Sequence, residues 1–147
     1  PFPVIVDYAH TPDSLEAIYR TFTDYKTICV LGNTGGGRDK WKRPVMGAIA
    51  EKYCDKIILT NEDPYDEDPE TILREIAGGI EEKDPEIILD RRTAIARALT
   101  LGKHETKPAV LITGKGTDPF IMGPNGTKTP WDDRAVAREE IQKIFPS

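Results

Sequence analysis

The stretch GNTGGGRDKWKRP at residues 32–44 decides the fold, because it joins an apolar run typical of a β-strand, TICVL at 27–31, to an amphipathic segment at 44–53. A strand, a glycine loop and a helix in this order place backbone N–H groups around an anion. The glycines permit a tight turn and a close approach to a ligand. Four cationic side chains follow within six positions: Arg38, Lys40, Lys42 and Arg43. The stretch therefore predicts a site for a carboxylate or phosphate, with a basic surface loop as the alternative.

The composition is that of one ordinary domain, spanning residues 1–147. Of the 147 residues 38% are hydrophobic, which is enough for a core. The 20 basic and 25 acidic residues give a net charge of −5, which disfavours binding of nucleic acid over a broad face. The basic loop is thus a local feature that suits a small anionic ligand.

Two cysteines, Cys29 and Cys54, lie in an apolar run and at the end of an apolar helix face, so we expect both to be small core residues. No Cys/His spacing typical of a metal site occurs. Nothing resembles a signal peptide or a membrane span, so we expect a cytoplasmic protein without a membrane partner. The chain begins Pro1-Phe2-Pro3 without an initiator methionine, which indicates a fragment of a longer protein.

The spacing of apolar residues predicts alternating strands and helices. Strands are expected at 4–7, 27–31, 56–60, 86–89 and 109–113, and helices after Thr11 or Asp13, at 44–53, 70–81 and 93–101, and from 132 or 133 to 145. In the second helix Val45, Ile49 and Tyr53 or Cys54 are expected to face the core. A hairpin is predicted around Asn125-Gly126. The pattern indicates an α/β fold, a Rossmann-like three-layer domain with a mostly parallel sheet and a C-terminal β-hairpin.

Polar corners follow four of the predicted strands. Asp7 and His10 follow the first strand, the glycine loop the second, an acidic loop the third, and residues 114–118 the last. The acidic loop contains Glu62, Asp63, Asp66, Glu67 and Asp68. The last three acids fit a solvated helix N-terminus, whereas the first two lie where open α/β sheets bind ligands. Because carboxyl ends of parallel strands share one edge, the corners predict a single site.

These corners together resemble one family. DYAHTPDS at 7–14, GRDKWKRPVMG at 37–47, NEDP at 61–64 and GKGTDPF at 114–120 resemble the carboxyl-terminal domain of Mur ligases, in order and over essentially the whole chain. The nearest type is the UDP-N-acetylmuramoyl-tripeptide synthetase. The resemblance implies an ATP-dependent acid–amino-acid ligase of peptidoglycan synthesis, whose N-terminal and central domains are absent from this chain. Such enzymes convert the carboxylate of UDP-N-acetylmuramoyl-L-alanyl-D-glutamate to an acyl phosphate, which the amino group of a diamino acid attacks.

The resemblance also implies roles for single residues. Asp7 and His10 match the corner that contacts ATP, and Arg38 matches the arginine that binds the α-carboxylate of the amino acid. Gly114 and Asp118 match the glycine and glutamate that receive its far end. The phosphate-binding loop and the Mg²⁺ ligands belong to the central domain, so we expect no catalytic residue and no metal ligand here. The implied partners are the UDP-muramoyl dipeptide, the diamino acid and the central domain.

The tetrapeptide Glu62-Asp63-Pro64-Tyr65 departs from diaminopimelate enzymes of the family, which have Asp-Asn-Pro-Arg. Tyr65 replaces the arginine that pairs with the second carboxylate, and the neighbouring acids would favour an ammonium group. We therefore predict that these four residues bind a lysine-like diamino acid, such as lysine or ornithine. Selection of diaminopimelate would require another cation, such as Lys40 or Arg91, in place of the arginine.

Other functions stay open. Cyanophycin synthetase and folylpolyglutamate synthase share the ligase architecture, and a catalytically inactive binding module could be built on it. A Rossmann dehydrogenase is disfavoured because GxGxxG does not follow the first strand.

Overall fold

A computed structural model describes residues 2–37 and 39–146. Within them the elements follow in the order β1 Val4–Asp7, α1 Pro12–Thr21, β2 Lys26–Leu31, α2 Lys42–Tyr53, β3 Lys56–Leu59, α3 Pro69–Ala77, β4 Glu86–Ile87, α4 Arg91–Lys103, β5 Pro108–Thr113, β6 Phe120–Met122, β7 Lys128–Pro130 and α5 Asp133–Ile144. The side chain of Thr11 caps α1, as its position before Pro12 predicts.

The five strands β1 to β5 form one parallel sheet in the order β1-β5-β2-β3-β4. Strands β6 and β7 form a separate antiparallel hairpin. The parallel pairing brings the carboxyl ends of all five strands to one edge. The predicted fold class is confirmed.

The core lies on both faces of the sheet. One apolar cluster joins the sheet to α1, α2 and α3, and a second joins it to α4 and α5. Leu15, Met46 and Ile72 are buried on the first face, and Ile95 and Val136 on the second. These two clusters make the three layers that the alternation of strands and helices predicts.

The helix α2 differs from its predicted orientation. Val45 is 39% exposed, whereas Met46, Gly47 and Ala50 are buried. A Cβ on Gly47 would collide with the carbonyl oxygen of Ile76 in α3. The close approach of the two helices at this glycine directs the Gly47 face inward, so the prediction for Val45 was wrong. Ile49, Tyr53 and Cys54 do pack in or against the core, as predicted.

Cys29 and Cys54 are buried, as expected, but they are not independent residues. They form a disulfide between β2 and the end of α2, with their Cα atoms 6.2 Å apart. Two cysteines 25 positions apart gave no sign of pairing in the sequence.

No helix among residues 2–37 and 39–146 has the length and apolar character needed to cross a membrane.

Candidate functional site

The four polar corners meet at the carboxyl edge of the sheet. The Gly114 N–H donates to Asp7 O at 3.1 Å, which joins the first corner to the last. The Gly35 N–H donates to Asp63 O at 2.6 Å, which joins the glycine loop to the acidic loop. A Cβ on Gly35 would collide with Pro64 O, so glycine is required for this contact. The predicted convergence of the corners is thus seen in the structure.

The glycine loop binds a carboxylate of the chain itself, that of Glu67. The Gly37 N–H donates to Oε1 of Glu67 at 3.0 Å, and the Arg43 guanidinium donates to both carboxylate oxygens, at 2.6 and 3.1 Å. Lys40 lies 3.8 Å from the same carboxylate. The hydrogen bonds from Arg43 lower the pKa of Glu67 to about 2. Two of the four cations predicted to await a ligand are therefore paired with Glu67.

Arg43 is a buried residue rather than part of an exposed basic run. Its side chain is 0% exposed. Besides Glu67 it contacts Asn33 Oδ1 at 3.1 Å, Thr34 O at 3.1 Å and Glu75 Oε1 at 2.6 Å. The prediction for Arg38 lies outside the described residues.

Lys115 forms ion pairs with two of the acids predicted to bind substrate. Its buried ammonium donates to Asp63 Oδ1 at 2.8 Å, to Asp118 Oδ2 at 3.1 Å and to the Phe120 carbonyl. Asp63 Oδ1 also accepts the Met122 N–H at 2.8 Å. With these partners, Asp63 and Asp118 hold the hairpin in place, which weakens the prediction that they receive an ammonium group of the substrate.

Glu62 is the buried acid of this loop that makes no ion pair among the described residues; Asp66 and Asp68 make none either, but they are exposed. It is 3% exposed, and its Oε2 accepts a hydrogen bond from the Thr34 hydroxyl at 3.0 Å. A Cβ on Gly114 would collide with Oε1. Burial raises the pKa of the Glu62 carboxyl, and the nearby Arg91 opposes this shift. Glu62 is thus packed beneath Gly114 and is a poor acceptor for an exposed ammonium.

Arg91 is not free to replace the missing arginine. It makes a two-pronged ion pair with Asp133, with both N–O distances 2.8 Å. It also donates to the carbonyls of Asn61, just after β3, and of Thr113, at the end of β5, both at 3.0 Å; these two strands lie on either side of β2. Arg91 therefore fixes the ends of the chain segments that follow β3 and β5, on which the site is built.

Tyr65 adopts a left-handed backbone conformation, with φ of 53°. Its N–H donates to Met122 O at 3.1 Å, and its ring lies beside Gly36. Asp66, next in sequence, accepts the Asn125 N–H at 2.6 Å. The tip of the acidic loop is thus tied to the hairpin on one side and lies against the glycine loop on the other.

The first corner is more open. Asp7 accepts the N–H of Ala9 at 2.8 Å, and the exposed rings of Tyr8 and His10 have centroids 4.6 Å apart. A cavity of about 300 Å³ lies beside them, lined by His10, Thr11, Thr34, Gly35, Asp39 and Lys42. This corner offers aromatic faces and a cation next to the glycine loop.

Sequence reasoning missed the three buried cations Arg43, Arg91 and Lys115 as organisers of the site. Each is 2% exposed or less. One feature of the sequence could have indicated them: each lies shortly after a predicted strand or near the start of a helix, and therefore at the carboxyl edge of the sheet. The sequence could not show which acid each one faces.

Residues 1–116 match the family model described as Mur ligase, glutamate ligase domain. The chain belongs to this family. Among its relatives, the UDP-N-acetylmuramoyl-L-alanyl-D-glutamate–2,6-diaminopimelate ligase of Aquifex aeolicus is 47% identical over 142 residues, covering 94% of this chain and 29% of the relative. The ligase of the same name from Clostridioides difficile is 44% identical over 147 residues, covering 96% of this chain and 29% of the relative. The chain thus spans less than a third of the length of these Mur ligases.

Two solved structures share the fold. A structure of a UDP-N-acetylmuramoyl-L-alanyl-D-glutamate–2,6-diaminopimelate ligase superposes with a TM-score of 0.85 at 32% identity, covering 98% of this chain and 30% of that one. Folylpolyglutamate synthase of Mycobacterium tuberculosis gives a TM-score of 0.56 at 19% identity, with the same coverage, and shows the fold alone. The relatives named here for the Mur ligase step carry diaminopimelate, not lysine, in their names, which goes against the predicted lysine-like substrate.

Proposed function

We propose that this chain is the carboxyl-terminal domain of an ATP-dependent ligase that adds 2,6-diaminopimelate to UDP-N-acetylmuramoyl-L-alanyl-D-glutamate in peptidoglycan synthesis. The observation that carries the proposal is the convergence of four family motifs on one sheet edge in a chain of this family. The names of the relatives support the choice of amino acid. A cytoplasmic location goes with the ATP requirement of the reaction.

Diaminopimelate replaces the lysine-like amino acid that the sequence analysis predicted as the substrate. That prediction assumed acids free to accept an ammonium group. Asp63 and Asp118 are instead engaged by Lys115, Asp66 by Asn125, and Glu62 is buried under Gly114. These contacts leave fewer carboxylates open to a substrate ammonium group than the sequence suggested, and the choice of diaminopimelate rests on the names of the relatives.

Within the proposed site, Arg38 binds the α-carboxylate, and Tyr65, Gly114 and the hairpin side of Asp118 line the place of the amino acid's far end. Asp7 and His10 contact the nucleotide, whose base can lie against the exposed rings of Tyr8 and His10. ATP supplies the phosphoryl group that activates the muramoyl carboxylate. The described part of the chain contains no group of acids, histidines and cysteines suited to a metal ion. The resemblance to Mur ligases implies that the Mg²⁺ ligands belong to the central domain.

Ligation by the full-length protein that contains this chain tests the proposal. Diaminopimelate, lysine and ornithine are offered separately with ATP and the muramoyl dipeptide, and phosphate release and product mass are measured. We expect diaminopimelate to give the highest kcat/KM. A preference for lysine or ornithine contradicts the choice of amino acid, and no ligation with any of them favours the inactive binding module.

A further inference from the structure

Glu67 links the two loops that form the proposed amino-acid site. Its Oε1 accepts the Gly37 N–H at 3.0 Å, which places the carboxylate of the acidic loop on the backbone of the glycine loop. The same carboxylate receives two N–H groups of Arg43. The Glu67 side chain is 15% exposed and Arg43 is 0% exposed, so the ion pair is largely shielded from water.

Arg43 holds the glycine loop at a second place. Its guanidinium donates to Thr34 O and to Asn33 Oδ1, both at 3.1 Å. The loop is thus fixed at its start by Arg43 and near its middle by Glu67. Ordering a run of three glycines costs conformational entropy. Contacts that order the loop in the free protein reduce the entropy that is lost when a ligand binds.

We infer that the Glu67–Arg43 pair is a positioning device that fixes the glycine loop against the acidic loop and thereby sets the affinity for the incoming amino acid. The inference rests on the proposed function, in which Arg38, the residue after Gly37, binds the α-carboxylate. Neither Glu67 nor Arg43 touches the substrate. Both act through the loop, because a site that is ordered in advance binds more tightly than one that must be ordered on binding.

Glu75 provides a matched control. It also accepts a hydrogen bond from Arg43, at 2.6 Å, but it lies on α3 and makes no described contact with the glycine loop. Glu67→Ala and Glu75→Ala each leave Arg43 paired with the other carboxylate. Glu67→Ala loses two hydrogen bonds from Arg43, the Lys40 ion pair and the Gly37 contact, whereas Glu75→Ala loses one hydrogen bond from Arg43 and keeps the Gly37 contact.

The test compares both variants with the full-length wild-type protein. We expect Glu67→Ala to raise KM for the amino acid about tenfold or more, since small misplacements of binding groups cost that much. KM for ATP should stay within about twofold in both variants, and Glu75→Ala should leave both constants nearly unchanged. Equal changes in the two variants, or an unchanged amino-acid KM in Glu67→Ala, would overturn the inference.

Hydrogen exchange gives a readout that needs no turnover. The Gly37 amide should exchange faster in Glu67→Ala than in wild type and Glu75→Ala, and equal rates in all three contradict the inference. A wild-type protein that ligates no amino acid refutes the proposed function, while the exchange comparison still decides the role of Glu67. Should Glu67→Ala not fold, Arg43→Lys serves instead, because lysine keeps the charge and cannot bridge Glu67, Thr34 and Asn33 together.

Discussion

Single buried charges decide what the polar residues of this site can do. Lys115 shows this clearly, because its ammonium occupies two carboxylates that the sequence offered to a substrate. The positions of Asp63 and Asp118 at the sheet edge could be predicted from the strand pattern. Their partner could not, since Lys115 lies 52 positions from Asp63 and the contact depends on the packed fold.

Glu67 makes the stability of the domain depend on pH. Arg43 lowers its pKa from 4.5 to about 2 in the folded state, so its contribution is complete above pH 4.5 and is lost as the pH falls toward 2. The difference in the free energy of unfolding between wild type and Glu67→Ala should fall by about 1 kcal/mol when the pH is lowered from 7 to 3.5. Urea unfolding at both pH values measures it, and a difference that does not change with pH contradicts the assignment.

Helix packing explains which parts of the element prediction failed. The helices α1 and α5 begin after Thr11 and Asp132, each one of two predicted caps, and the strands lie where apolar runs predicted them, although β4 ends at Ile87 and not at residue 89. The inward face of α2 did not, because a glycine that allows two helix backbones to approach carries no hydrophobic signal. Gly47 decides that face, and apolar Val45 lies outside it.

Gly47→Ala should therefore destabilise the domain, although alanine favours helices by about 1 kcal/mol over glycine. The new methyl group would collide with Ile76 O and separate α2 from α3. We expect a loss of about 2 kcal/mol in urea unfolding, typical of overpacking. Ala48→Gly, at the next and exposed position, should cost only the helix propensity, and a Gly47→Ala protein more stable than wild type would contradict the contact.

At the scale of the whole molecule, the alternation of strands and helices was enough to predict a parallel sheet with its ligand edge. It was not enough to predict the covalent link between β2 and α2, since Cys29 and Cys54 each read as ordinary core residues. Nor could it show that the hairpin folds back over the acidic loop, a contact that depends on Lys115 and Asp66.

The disulfide should stabilise the oxidised domain against unfolding. The disulfide closes a loop of 25 residues and lowers the chain entropy of the unfolded state, which raises the free energy of unfolding by about 3.5 kcal/mol. Urea midpoints with and without dithiothreitol measure the effect, and the double variant Cys29→Ser and Cys54→Ser serves as a control that should not respond to the reductant. Equal midpoints for the oxidised and reduced wild type would show that the link contributes nothing.

The bridge from Glu67 to Gly37 and Arg43 bears on how such a ligase could be redesigned. An acidic loop transplanted without a carboxylate at the position of Glu67 would leave the Arg43 guanidinium and the Gly37 N–H without this acceptor. A redesign of specificity should therefore keep Glu67, Gly37 and Arg43 together, or exchange the acidic loop and the glycine loop as a pair.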